Sequence, residues 1–124
     1  MVALRAGVRL SAMPMSMTML KGTAGFAWQD DGTLDRRAVT RCALARVCGV
    51  CGESLGRPIV FVGDTDEDGR NEFHVPPLHE ACAQDLVASA GPGHVLVRTG
   101  GFEFVRPGRD DPDPMPRFAP NSRL

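Results

Sequence analysis

The sequence predicts a small α+β domain held together by a bound metal. Two ligand-type pairs carry most of that prediction: Cys48-Gly49-Val50-Cys51 and His79-Glu80-Ala81-Cys82, each with two residues between its ends. The 27 residues between the pairs, 52–78, include Pro58-Ile59-Val60-Phe61-Val62-Gly63, a run of β-branched and aromatic residues that reads as a strand. The third observation is size. With 124 residues, 14 Gly and 10 Pro, the chain has little room for long elements, and a core this small gains from a metal staple.

Zinc takes four nitrogen or sulfur ligands in a tetrahedron, and three cysteines with one histidine is a usual structural set. A Cys-x-x-Cys turn brings two thiolates onto one ion, and Gly49 and Gly52 ease the tight backbone this needs. A helix beginning after Pro76-Pro77 places residues 79 and 82 on one face, at i and i+3. Cys48, Cys51, His79 and Cys82 are therefore expected to hold one structural Zn2+. Knuckle, β-hairpin and helix in that order make a zinc-stapled, treble-clef-like domain. Redox thiols would open a helix after a strand and need no second pair downstream. An iron–sulfur site more often uses cysteines alone. Three thiolates and a neutral imidazole around Zn2+ carry net charge −1 and leave no open position for a catalytic water.

The expected organisation is an extended N-terminal arm (1–33), a zinc-binding domain (34–107) and a Pro/Asp/Arg-rich, irregular C-terminal tail (108–124). In the arm, Met13, Met15, Met17 and Met19 alternate with other residues, so a strand would align four thioethers. Such a stripe packs on a core or a partner, or offers Cu(I) soft ligands. Phe26 and Trp28 are candidate anchors for the arm. Residues 35–46 read as a helix capped by Thr33 or Asp35, with Val39, Cys42, Ala43, Arg46 and Val47 along one stripe. Cys42 is then a small core residue.

A return strand is expected at Asn71-Glu72-Phe73-His74-Val75, pairing with residues 58–63. Between them Asp64-Thr65-Asp66-Glu67-Asp68-Gly69 matches the first half of a calcium loop. Position twelve is Val75 rather than glutamate, so the stretch reads as a solvated hairpin tip. Residues 77–90 read as a second helix, with Pro77 at its start and Gly91 as its cap. Residues 94–98 and 102–105 then form a hairpin over Gly100-Gly101, placing Arg98 beside Glu103 and Val97 beside Phe104.

The net charge of −1 argues against a general nucleic-acid binder. Its distribution is uneven. Arg36, Arg37, Arg41, Arg46 and Arg57 dominate residues 34–57, whereas seven acidic residues face Arg70 alone across 64–85. Such a division is either two solvated faces or a bipolar surface that recognises a partner. Few cysteines, most of them committed to metal, point to a reducing cytoplasm rather than a disulfide framework. Arg5 and Arg9 precede Leu10-Ser11-Ala12-Met13, but Pro14, Ser16 and Thr18 break the apolar run an export signal needs, and no membrane span is expected.

The run Cys48-x-x-Cys51-Gly52, Leu55-Gly56, Phe61-Val62-Gly63, Pro76-Pro77-x-His79-x-x-Cys82-Ala83 resembles an uncharacterised family of small actinobacterial and phage zinc-binding proteins. Arg5-Ala6-Gly7-Val8 and the arm ending near Leu20 are similar to that group too, so the resemblance covers most of residues 4–90. It implies a zinc-binding protein. The chain departs from the group in its acidic Asp64–Asp68 insertion and in ending the second helix with Ala88-Ser89-Ala90-Gly91 rather than a Cys-Pro-containing segment.

Three functions compete on these residues. The first is a structural-zinc, protein-interaction module that meets another protein or itself. The second is a nucleic-acid-binding zinc finger using Arg36, Arg37, Arg41 and Arg46 of helix 35–46. The third is a nuclease related to the His-Asn-His treble clefs, for which Asn71, Glu72 and His74 are the candidate cluster. No Ser/His/Asp set, phosphate loop or dinucleotide fingerprint is present. The expectation is therefore a non-enzymatic protein.

Overall fold

Asp35 opens the first helix, α1 (Arg36–Ala45), as its N-cap, its carboxylate accepting from the Arg37 backbone N–H at 3.3 Å. Val39, Cys42 and Ala43 form the buried face, as the 3.6-residue period requires. Arg46 ends the helix in a left-handed conformation, φ 55°, and its N–H returns to the Cys42 carbonyl. These statements rest on a computed structural model that describes residues 25–124. The Met13, Met15, Met17 and Met19 stripe and most of the expected arm lie outside the described residues. What is described of that arm is built into the domain. Ala27 and Trp28 are buried, and the Phe26 and Ala27 N–H groups donate to Val50 and Gly49 carbonyls of the Cys-x-x-Cys turn.

The expected hairpin of residues 58–63 with 71–75 does not form. The strand β1 (Ile59–Asp64) instead pairs antiparallel with β2 (His94–Thr99), which follows the last helix, with Phe61 opposite Val97 and Val60 opposite Arg98. On its other edge Val60 exchanges both backbone hydrogen bonds with Leu78, at 2.9 and 3.0 Å. Nor is Asp64–Gly69 a solvated tip. Asp64 caps a short helix, α2 (Thr65–Arg70), through a reciprocal capping box. Its carboxylate accepts the Glu67 N–H at 2.8 Å, and the Glu67 carboxylate accepts the Asp64 N–H at 3.1 Å. The D-x-x-E spacing of that box lies inside the calcium-like pattern, which spends the same carboxylates differently.

The third helix, α3 (Glu80–Ala90), begins three residues later than Pro77 suggests. Pro77 and Leu78 are still extended, because the Pro77 carbonyl accepts the Gly49 N–H and Leu78 bridges to Val60. Gly91 caps the far end with φ 87°, a left-handed value suited to glycine.

The second expected hairpin is also replaced. The chain bends at Gly100-Gly101, where the buried Thr99 hydroxyl donates to the Gly101 carbonyl at 2.7 Å and accepts from the Ser122 N–H at 3.2 Å. The next strand, β3 (Phe102–Val105), pairs with β4 (Arg117–Pro120), so the two halves of the expected hairpin belong to different sheets. Arg98 is accordingly paired with Glu80 of α3, not with Glu103. The stretch 108–124, expected to be an irregular tail, supplies β4 and puts Phe118 fully inside. Phe118 lies 5.7 Å from Phe61, 5.6 Å from Phe102 and 5.3 Å from Phe104, between ring centroids, and Phe73 stacks on Phe61 at 5.9 Å. Burying one such ring contributes about 1.5–3 kcal/mol. The described residues thus form an α+β fold of three helices and two small antiparallel sheets. Among them no helix is long and apolar enough to cross a membrane.

Candidate metal centre

Residues 47–54 fold back on themselves. Val47 bridges to Ser54, the Cys48 N–H donates to the Glu53 carbonyl at 2.8 Å, and the Gly52 N–H returns to the Cys48 carbonyl at 2.9 Å. Gly52 sits at φ +74°, where a side chain would be strained, and a Cβ on Gly49 would stand 2.5 Å from the Pro76 ring. The turn therefore needs both glycines, one for conformation and one for space. It places Cys48 fully inside and Cys51 at the surface.

α3 delivers the other pair. His79 is the N-cap and Cys82 lies on the first turn, so the i, i+3 relation holds although His79 stands just outside the helix. The His79 side chain caps no backbone N–H and turns back toward the knuckle instead. There its Nε2 is 2.8 Å from the Ser54 carbonyl, and its Nδ1 is 3.3 Å from Cys51 Sγ. A carbonyl only accepts, so Nε2 carries the proton and Nδ1 presents its lone pair to the cysteines. Fixing the tautomer through the far nitrogen is how proteins orient a metal-binding histidine. The spacing of the pairs predicts His79 as a ligand, but gives no sign of Ser54, which contributes only backbone.

Ligand atoms of Cys48, Cys51, His79 and Cys82 all lie within 4.8 Å of one another. Zn–S bonds of about 2.3 Å put tetrahedral sulfurs about 3.8 Å apart, so the four atoms match one ion after a small contraction. The electrostatics fit a cation as well. Burial pushes Cys48 up, but N–H groups of Cys51, His79 and Val50 aimed at it outweigh burial and hold it below its usual value. Cys82 is pushed up to about 12, by burial first and then by the neighbouring Cys48 and Cys51. Three thiolates in this space would repel one another, and a divalent ion would offset that repulsion. The residues present can therefore hold one metal ion. Cys42 is fully buried beside the group, with its thiol also pushed up to about 12, chiefly by burial. It belongs to the hydrophobic core.

Among the described residues no other three or more metal-type side chains bring their ligand atoms together in a way that could hold one ion. Asp64, Asp66 and Asp68 do not converge: Asp64 caps α2, and Asp68 pairs with Arg123 at 2.7 Å. The cluster Asn71, Glu72 and His74 is divided among structural contacts. Asn71 donates to the Pro120 carbonyl, Glu72 faces Arg117, and both ring nitrogens of His74 meet carboxylates. Nδ1 is 2.5 Å from Glu67 Oε2, and Nε2 is 2.6 Å from Asp113 Oδ2. Glu67 is almost wholly buried. Two carboxylates facing one imidazole favour its doubly protonated form, and the Glu67 hydrogen bond leads in raising the His74 pKa from its usual value, against burial. Asp113 is also 3.4 Å from Arg117, whose guanidinium reaches Asp111 at 2.6 Å. This clamp fastens residues 111–117 to α2 and to the segment after it.

Of the four arginines expected to form an interaction surface, Arg46 is exposed but lays its guanidinium 5.1 Å above the Phe102 ring. Arg36, Arg37 and Arg41 are exposed on α1. The chain matches no family model, no curated protein and no solved structure.

Proposed function

We propose that this chain is a zinc-stapled protein-interaction module, working in the cytoplasm and catalysing no reaction of its own. The observation that carries the reading is the convergence of Cys48, Cys51, His79 and Cys82 on one point. Four protein donors complete a tetrahedral shell and leave no position for substrate or water, which is the mark of a structural site. Zn2+ there would neutralise the thiolates and tie the knuckle to α3. The turn followed by a helix is treble-clef-like in its ligand delivery, with the strand partner of β1 drawn from beyond the helix. Four free cysteines suit a reducing compartment. The interaction part rests on Arg36, Arg37 and Arg41, which have no ion-pair partner among the described residues.

Elemental analysis of protein purified without chelator tests the metal, with one zinc per chain expected and a metal-free folded chain overturning the reading. Cross-linking in cells followed by mass spectrometry tests the interaction. Partner peptides should map to α1, and links scattered evenly over the surface would remove that part of the proposal.

A further inference from the structure

The core face of α1 is Val39, Cys42 and Ala43. Arg37, Arg41 and Leu44, at i, i+4 and i+7, run along the side turned away from it, with Arg36 exposed about 100° round the helix from Arg37. Leu44 is 67% exposed, a large apolar side chain set among cations. Among the described residues Arg98 pairs with Glu80, Arg117 with Asp111 and Arg123 with Asp68, while Arg46 and Arg106 lie over the Phe102 and Phe104 rings and the remaining arginines make no ion pair. Arg36, Arg37 and Arg41 have no such partner among the described residues. Their placement does not serve the helix either. The first turn of α1 holds two arginines and no acidic residue, although cations there oppose the helix dipole. α2, by contrast, has Asp66, Glu67 and Asp68 in its first turn and Arg70 in its last, the arrangement the dipole favours.

Resting on the interaction-module reading, we propose that this face of α1 seats an acidic segment of another protein, one that carries an apolar side chain to cover Leu44. Unpaired guanidinium groups in register along a helix fit carboxylates in bidentate geometry. Arginine beside an exposed apolar anchor is the composition enriched where protein partners meet. A nucleic-acid backbone would use the arginines but leave Leu44 against phosphates. Three phosphate contacts on a chain of net charge −1 would also give only weak, strongly salt-dependent binding.

The test uses the full chain, checked first for one metal ion per molecule, as bait for a random twelve-residue peptide display library. Enriched peptides should be rich in Asp and Glu around a Leu, Ile, Phe or Met. A synthetic copy of the strongest should bind the double variant Arg37→Glu/Arg41→Glu about tenfold or more weakly. It should bind Leu44→Ser several-fold more weakly, with metal content and melting curve unchanged in both. Enrichment of peptides that are not acidic, or equal binding to wild type and both variants, overturns the proposal. So does tighter binding of a twenty-nucleotide DNA or RNA that falls on arginine reversal but ignores Leu44→Ser, since the face would then be a nucleic-acid site. A bait that folds but carries no metal counts against the zinc reading, while the peptide result still decides the occupant of α1.

Discussion

The Cys48–Cys51–His79–Cys82 cluster and the Glu67–His74–Asp113 clamp each join two stretches of chain that would otherwise be held weakly, and they do so with opposite charge logic. The first gathers three cysteines, whose thiolate charges would repel, and a neutral imidazole, and is suited to an added cation. The second supplies its own positive group, a histidine whose pKa is raised by the carboxylates on either side of it. One fastens the knuckle to α3. The other fastens residues 111–117, through Asp113 and Arg117, to α2 and the segment that follows it. The difference teaches that a small domain can close a remote join without metal, provided the ionic group is largely buried and both nitrogens of its imidazole have a carboxylate partner.

Breaking the metal cluster should have the largest effect. Structural zinc contributes on the order of 10–16 kcal/mol of apparent binding energy in zinc-finger peptides, more than a small domain's whole stability. Cys82→Ser, or a strong chelator, is expected to abolish the cooperative thermal transition followed by circular dichroism. A wild-type melting curve for Cys82→Ser would refute the staple.

Breaking the clamp should cost less. His74→Ala removes one partner of a largely buried ion pair, a change that costs about 3–5 kcal/mol in such settings. Chemical denaturation should show the loss with metal content unchanged, and a loss below about 1 kcal/mol would mean that solvent already screens the group.

Acidity separates the two most cleanly. The His74 pKa is raised in the fold above 6.5, so the clamp's contribution is complete below pH about 6.5 and is lost as pH rises through the raised value. Asp113 is opposite in sign. Burial works against its charge, but the hydrogen bonds from His74 and the Met115 N–H outweigh burial and hold its pKa below 3.8. Its contribution is present above about 3.8 and fades as pH falls through the lowered value. The metal site is expected to fail on the acid side, because its thiolates and His79 must be deprotonated to bind. Stability measured from pH 5 to 10 on wild type and His74→Ala should converge toward the alkaline end. Parallel curves throughout would show that His74 is not protonated in the fold.

The smallest effect is expected at Cys42. Cys42→Ser places a hydroxyl in the core at about 1–3 kcal/mol if it finds no hydrogen bond, and metal stoichiometry should stay at the wild-type value. Loss of metal from this variant would make Cys42 part of the site.

The clustering of Cys48, Cys51, His79 and Cys82 was legible because its chemistry is written in short range. Cys-x-x-Cys and His-x-x-Cys each place two donors within a turn, and few other roles require donor types at that spacing. The α1 core face was legible for the same reason, since Val39, Cys42 and Ala43 follow the helical period. Strand pairing was not. Residues 58–63 and 94–98 read correctly as strands, but local pattern supports a nearby partner as readily as a distant one, and β1 takes β2 from beyond α3. Phe118 carried a faint signal, an aromatic residue in a Pro- and Asp-rich stretch that composition marks as irregular. Its burial against Phe61, Phe102 and Phe104 decides otherwise.

What the sequence by itself determined is therefore what neighbours along the chain can settle: the four donors, the cap of α1, and the small α+β class. Tertiary structure alone decided which strand lies beside which, that His74 meets Asp113 across 39 positions, and that Arg46, exposed like Arg36, Arg37 and Arg41, has the Phe102 ring within reach. The reason is physical. A cap or a knuckle is selected by hydrogen bonds and ligand bonds within a few residues. A sheet partner or a buried ion pair is selected by which distant surface best covers the exposed rings and satisfies the buried charges, and that comparison exists only once the chain has closed on itself.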